Sequence, residues 1–147
     1  MENKKINILL ADDDYDDCNF FKDALGELLE SVNLSIVNDG DELMKFLTKE
    51  GNELPDVLFL DINMPRKNGI ECLSEIRHIE KLKNLSVVMF TTSNSPENIN
   101  LSFKTGAHVY ITKPADFEHL KQVISHALPM ATEEIFSKKK VKYILNA

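Results

Sequence analysis

Short unbroken apolar runs alternate along this chain with longer stretches in which apolar residues recur every three or four positions. Ile6-Asn7-Ile8-Leu9-Leu10-Ala11 reads as a strand that stops abruptly at acids. Over 15–30, Phe20, Phe21, Ala24, Leu25, Leu28 and Leu29 keep helical spacing, with Asp14 as N-cap and Asp16 and Asp17 as a solvated acidic first turn. A second strand is predicted over 34–38 and, after the Asp39-Gly40 turn, a short helix over 41–50 carrying Leu43, Met44, Phe46 and Leu47. Val57-Leu58-Phe59-Leu60 is apolar on both alternating faces, as in a strand covered on both sides, and ends at Asp61. Ile70, Leu73, Ile76 and Ile79 predict a helix from about Gly69, and Val87-Val88-Met89-Phe90 a fourth strand ending at Thr91. Ser95-Pro96-Glu97 is an N-cap with proline at the first helical position. The helix it opens has only Ile99 and Phe103 as strong anchors, so it is expected to be the least firmly packed. A fifth strand over 108–112 ends at Lys113-Pro114, and an amphipathic helix from Phe117 is expected to end before Pro129.

The order βαβαβαβαβα implies an α/β fold: a doubly wound parallel sheet with helices on both faces. Five strands with right-handed crossovers lead to the flavodoxin-like order 2-1-3-4-5. Residues 5–129 are expected to form this domain. The extension 130–147 carries Lys138, Lys139, Lys140 and Lys142 beside Ile135, Phe136, Ile144 and Leu145, and its pattern leaves a helix, a docked segment or a frayed end open.

Composition narrows the functional classes. The chain has 147 residues, 43% hydrophobic and 28% charged, enough for one core without staples. Its net charge of −7, with no basic cluster before the last ten residues, argues against nucleic acid as a ligand. Cys18 and Cys72 have neither metal nor disulfide spacing and read as core thiols. No signal peptide or membrane span is visible, so a cytoplasmic protein is expected.

The chemistry lies where the strands end. In an open parallel sheet, ligands bind beyond the carboxyl ends of the strands near the switch in strand order. Strand one delivers Asp12 and Asp13 there, strand three Asp61, strand four Thr91 and strand five Lys113. Helix capping accounts for Asp14, but a single cap does not need three successive acids. Carboxylates about 5 Å apart repel by roughly 3 kcal/mol at an effective dielectric near 20. A hard divalent cation with an oxygen shell relieves that repulsion, and Mg²⁺ does so with one or two carboxylates and retained waters. With the Lys113 ammonium and the Thr91 hydroxyl, such a site can bind a phosphoryl group and stabilise its transfer.

Leu9-Leu10-Ala11-Asp12-Asp13-Asp14, Leu58-Phe59-Leu60-Asp61-Ile62-Asn63-Met64-Pro65 with Gly69, Phe90-Thr91-Thr92-Ser93 and the run from Gly106 to Pro114 resemble the receiver domain of two-component response regulators. The resemblance implies a bacterial phosphorelay protein in which Asp61 accepts a phosphoryl group from a histidine kinase or histidine phosphotransfer protein. It implies that Asp13 and Asp61 bind Mg²⁺ by carboxylate, Asn63 by its backbone carbonyl and Asp12 through water. Lys113 and Thr91 would contact the phosphoryl oxygens, Tyr110 would change rotamer as Thr91 moves, and the Lys113-Pro114 bond would be cis. Thr92 is bulkier than is common at that position in the family, and Asn63 and Ser93 flank the site where side chains affect hydrolysis. The Thr-Thr-Ser run and the stretch from Arg77 to Ser86 are similar to stand-alone receivers, some of which serve phytochrome-type kinases.

The expected protein is thus a switch, monomeric or weakly dimeric, and not an enzyme acting on a separate substrate. No output domain is visible after Pro129, so its output is expected to be contact with a downstream protein, onward phosphotransfer or a phosphate sink. Two other classes fit less well. A haloacid-dehalogenase-type phosphohydrolase also uses a strand-end Asp, but needs an acid where this chain has Asn63, and a cap insertion. A receiver-like module that binds without accepting phosphate would not need Asp12, Asp13, Asp61, Thr91 and Lys113 all intact.

Overall fold

The computed structural model describes residues 5–132 and 143–145. Among the described residues eleven elements follow one another: β1 (Ile6–Ala11), α1 (Tyr15–Leu28), β2 (Val32–Val37), α2 (Gly40–Thr48), β3 (Val57–Leu60), α3 (Gly69–His78), β4 (Val87–Thr91), α4 (Pro96–Thr105), β5 (Val109–Thr112), α5 (Phe117–Thr132) and β6 (Tyr143–Leu145). The strands form one sheet in the order β2-β1-β3-β4-β5-β6, every pairing parallel. The expected five-strand order is therefore its frame, and β6 lengthens the sheet beyond β5.

Alternation along the strands divides the core in two. Ile8, Leu10, Phe59, Val88, Phe90, Val109 and Ile111 face α1 and α5, where Phe21, Leu25, Val123 and Ile124 close the layer. Phe21 meets Phe59 and Phe90 edge-on, with ring centroids 4.9 and 5.4 Å away, a geometry aromatic pairs favour. On the other side Leu9, Ala11, Leu58, Leu60, Met89 and Tyr110 pack against Leu43, Leu47, Cys72, Leu73 and Ile76 of α2 and α3. Both cysteines are buried, and burial pushes the Cys18 thiol up to about 11 and that of Cys72 to about 12, so neither is poised to react.

Helix starts follow local chemistry. Asp14, Asp39, Asn68 and Ser95 cap α1, α2, α3 and α4 by accepting from a backbone N–H three residues on, and Asn68 with Glu71 forms a full capping box. The weak packing expected of α4 is present: Ser102 is its one buried residue, and that hydroxyl has no hydrogen-bond partner. Arg77 fastens the far end of this helix by donating to the carbonyls of Gly106, Lys83 and Leu85 at 2.7 to 3.1 Å. Gly106 has φ +126°, and a Cβ there would fall 2.8 Å from the Arg77 side chain.

Two expectations need correction, and one question the sequence left open is answered in part. The helix α5 continues through Pro129 to Thr132. Proline removes one N–H, but buried Leu128 and Ala131 keep the following turn against the core. Within 130–147, residues 143–145 form β6, with Tyr110 opposite Ile144, while 133–142 and 146–147, including Ile135, Phe136 and the four lysines, lie outside the described residues. No peptide bond is cis among the described residues, so Lys113-Pro114 is trans. The two isomers of an X–Pro bond differ by only about 0.5–1 kcal/mol, so the sequence alone does not select one.

Candidate functional site

The site residues are placed by the ends of the central strands. Asp12, Asp61 and Lys113 each follow the last residue of a strand, and each backbone N–H extends the ladder: Asp12 to Val37 O at 3.0 Å, Asp61 to Ala11 O at 3.0 Å and Lys113 to Thr91 O at 2.7 Å. Their side chains therefore leave the sheet at one level, at the point where the chain order turns from β1 to β2 on one side and β3 on the other.

The Lys113 ammonium sits at the centre. Its Nζ donates to Asp12 Oδ2 at 2.6 Å, Asp17 Oδ2 at 2.8 Å and Asp61 Oδ2 at 3.3 Å, and lies 5.5 Å from the centroid of the Phe90 ring. Asp12 is fully buried, and Asp61 is 6% exposed. Burial pushes the Asp12 carboxyl up to about 6; hydrogen bonds from Lys113 and the Asp14 N–H pull it back only in part, and Asp61 adds to the rise. Burial alone would lower Lys113, but its hydrogen bonds to Asp12 and Asp17 and the charge of Asp61 outweigh it and hold the ammonium above its ordinary value.

Carboxylate oxygens of Asp12, Asp13 and Asp61 lie within 4.8 Å of one another. With Asp17 they set four formal negative charges against the one ammonium. This all-oxygen, over-charged cluster suits a divalent metal ion, whereas thiolate or imidazole ligands would be expected for softer ions. The Asn63 N–H donates to Asp61 Oδ1 at 3.3 Å, which brings the backbone of residue 63 against the Asp61 carboxylate, while its side chain is exposed. Gly69 is required here by space: a Cβ would lie 2.1 Å from the Asp61 carbonyl oxygen.

The remaining residues form a relay toward α4. Thr91 is fully buried, and its hydroxyl accepts from the Ser93 N–H at 3.4 Å. The Tyr110 hydroxyl donates to the Ser93 carbonyl at 2.8 Å, and Asn98 of α4 donates to the Ser93 hydroxyl at 2.8 Å. Ser93 is thus the junction between Tyr110, Thr91 and the first turn of α4. Tyr110, the residue expected to change rotamer as Thr91 moves, is fully buried here.

Asp12, Asp13, Asp61, Asn63, Thr91 and Lys113 fall at this edge, and Tyr110 stands within β5 and reaches toward it through its hydroxyl, but one participant was misread. Asp17, expected to be a solvated acid, pairs with Lys113. Side chains on a helix lean toward its N-terminus, so an acid at the third helical position overhangs the strand ends, and that was the available signal.

The comparisons with known proteins agree with this geometry. Residues 8–125 match the family model of the response regulator receiver domain. Response regulator Rcp1 of Synechocystis sp. (strain ATCC 27184 / PCC 6803 / Kazusa) is 31% identical over 121 residues, which cover 80% of this chain and 82% of Rcp1. The crystal structure of the phosphorylated cyanobacterial phytochrome response regulator RcpA superposes with a TM-score of 0.80 at 31% identity, covering 87% of this chain and 94% of that one. The Mn²⁺-bound form of Rcp1 superposes with a TM-score of 0.78 at 28% identity over 88% of this chain and 96% of that one. A parallel sheet with its acids, threonine and lysine converging on one edge, matched over most of its length, makes this chain a member of the response-regulator receiver family of two-component signalling.

Proposed function

We propose that Asp61 is the phosphoryl acceptor, charged by the phosphohistidine of a sensor kinase or histidine phosphotransfer protein. The observation that carries this reading is Lys113 Nζ bridging buried Asp12 and Asp61 at the strand ends, with Asp13 within metal-sharing distance. In the transfer, an Asp61 oxygen bonds to phosphorus as the P–N bond of the donor breaks. The bonding pair stays on the imidazole nitrogen, which takes a proton from solvent. Lys113 and the Thr91 hydroxyl receive the phosphoryl oxygens; Asn63, Asp13 and Asp61 would hold Mg²⁺, and Asp12 would act on it through water. The metal would supply positive charge to the phosphoryl oxygens in the transition state.

Phosphorylation adds about two negative charges and several acceptor oxygens. Thr91 turns toward them and withdraws its hydroxyl from the Ser93 N–H, loosening the junction that Tyr110 and Asn98 share. The loosely held α4, with β5 and α5, then carries the change to a downstream protein. The phytochrome-response-regulator names of RcpA and other relatives favour a phytochrome-type kinase as donor. Beryllofluoride with Mg²⁺ tests the reading by NMR: amide shifts are expected at Asp61, Thr91, Ser93, Lys113 and along α4. An unchanged spectrum would count against it.

A further inference from the structure

The Lys113 ammonium has three N–H donors and no acceptor. All three are engaged, and the longest contact, 3.3 Å, is the one to the acceptor Asp61. Asp12 and Asp17 hold the charge toward the α1 side of the site at 2.6 and 2.8 Å. These two tethers differ. Asp12 is fully buried, and its oxygens are also bound to the Asp14 N–H, so it is a fixed part of the floor. The Asp17 side chain is 36% exposed and stands on the first turn of α1, where the Asp17 N–H is capped by Asp14. That helix is locked to the sheet through Phe21, Ala24 and Leu25, so Asp17 cannot drift after Lys113 when Lys113 moves.

We propose that Asp17 is a positioning residue that competes with the phosphoryl group for the Lys113 ammonium and so sets how tightly this site retains a phosphoryl group. The inference rests on Asp61 being the acceptor. An incoming phosphoryl group needs Lys113 to turn from α1 toward Asp61. The Asp17 carboxylate opposes this twice, by occupying one N–H and by placing a negative charge beside the incoming dianion. Water can solvate Asp17 once it is released, so the competition is reversible and weakens retention without forbidding it.

The test measures the beryllofluoride concentration that half-converts the protein at saturating Mg²⁺, read by NMR on the full chain. Asp17→Asn is expected to lower it about tenfold, the scale of removing one charge at such distances in a partly solvated site. Asp17→Glu, which keeps the charge within reach of Lys113, should stay near the wild-type value. Asp16→Asn removes an exposed acid from the same helical turn without touching Lys113 and should also leave it unchanged, which separates the contact from any effect on the helix terminus. If the wild type takes up no beryllofluoride, the assignment of Asp61 falls. If it does, and Asp17→Asn half-converts with the wild type, or Asp16→Asn or Asp17→Glu matches Asp17→Asn, the role of Asp17 falls alone.

Discussion

Replacing Asp61 by Asn should stabilise the metal-free protein while sharply reducing its response to Mg²⁺. Asp61 is buried beside two carboxylates no more than 4.8 Å away and one ammonium at 3.3 Å. At an effective dielectric near 20, each carboxylate costs about 3.5 kcal/mol and the ammonium offsets about 5, leaving about 2 kcal/mol of net repulsion. Asparagine keeps the shape, and its single oxygen can still accept from Lys113 while the long 3.3 Å contact from the Asn63 N–H is given up, so the gain is mainly this charge term. Urea denaturation at neutral pH, followed by circular dichroism with and without Mg²⁺, measures it. The wild type should gain stability with Mg²⁺ as binding to the folded state requires, and Asp61→Asn, already about 2 kcal/mol more stable without metal, should gain far less. A destabilised Asp61→Asn, or equal stabilisation of both proteins by Mg²⁺, would refute the electrostatic account of this site.

Lys113→Met leaves the fully buried Asp12 without its counter-charge and should cost about 3 kcal/mol in urea denaturation at pH near 7.5, with the loss shrinking toward about pH 5 as Asp12 takes up a proton. The Asp12 carboxyl lies at about 6 in the folded protein against an ordinary 3.8. Folding therefore favours its protonated form: this contribution to stability is full below about pH 3.8 and is lost as the pH rises through about 6. Mg²⁺ needs the opposite form, so its affinity by calorimetry should fall about tenfold from about pH 7.5 to about pH 5; a flat profile would contradict the raised carboxyl. Arg77→Met strips donors from three backbone carbonyls around the end of α4 and should cost about 2–4 kcal/mol, with hydrogen exchange accelerated in α4 before α1. Uniform acceleration across the fold would deny Arg77 that local role.

Much of the architecture was legible because burial imposes a pattern. Val57-Leu58-Phe59-Leu60 must be apolar on both faces to lie mid-sheet, and Phe21, Ala24 and Leu25 must share a stripe to pack on it. The site was legible for the same reason, since strands that end at one level deliver the residues after them to one edge. What escaped depended on contacts remote in sequence or on terms too small to leave a mark. Tyr143, Ile144 and Leu145 are too few to announce a strand and become one only by pairing with β5. Leu128 and Ala131 carry α5 past a proline because the core is already there to receive them. Asp17 looks like any acid in a first turn until Lys113, 96 residues away, reaches it. Ser93 showed only as a flanking residue, whereas its carbonyl and hydroxyl join β5 to α4.

The central claim is that Asp61 accepts a phosphoryl group, and intact mass after incubation with acetyl phosphate tests it most directly. The wild type with Mg²⁺ should gain the mass of one phosphoryl group, mapped to the peptide containing Asp61 and lost when the metal is chelated before the reaction. Asp61→Asn should gain none. An adduct on the Asp61→Asn protein, or no adduct on the wild type at any Mg²⁺ concentration, would contradict the account.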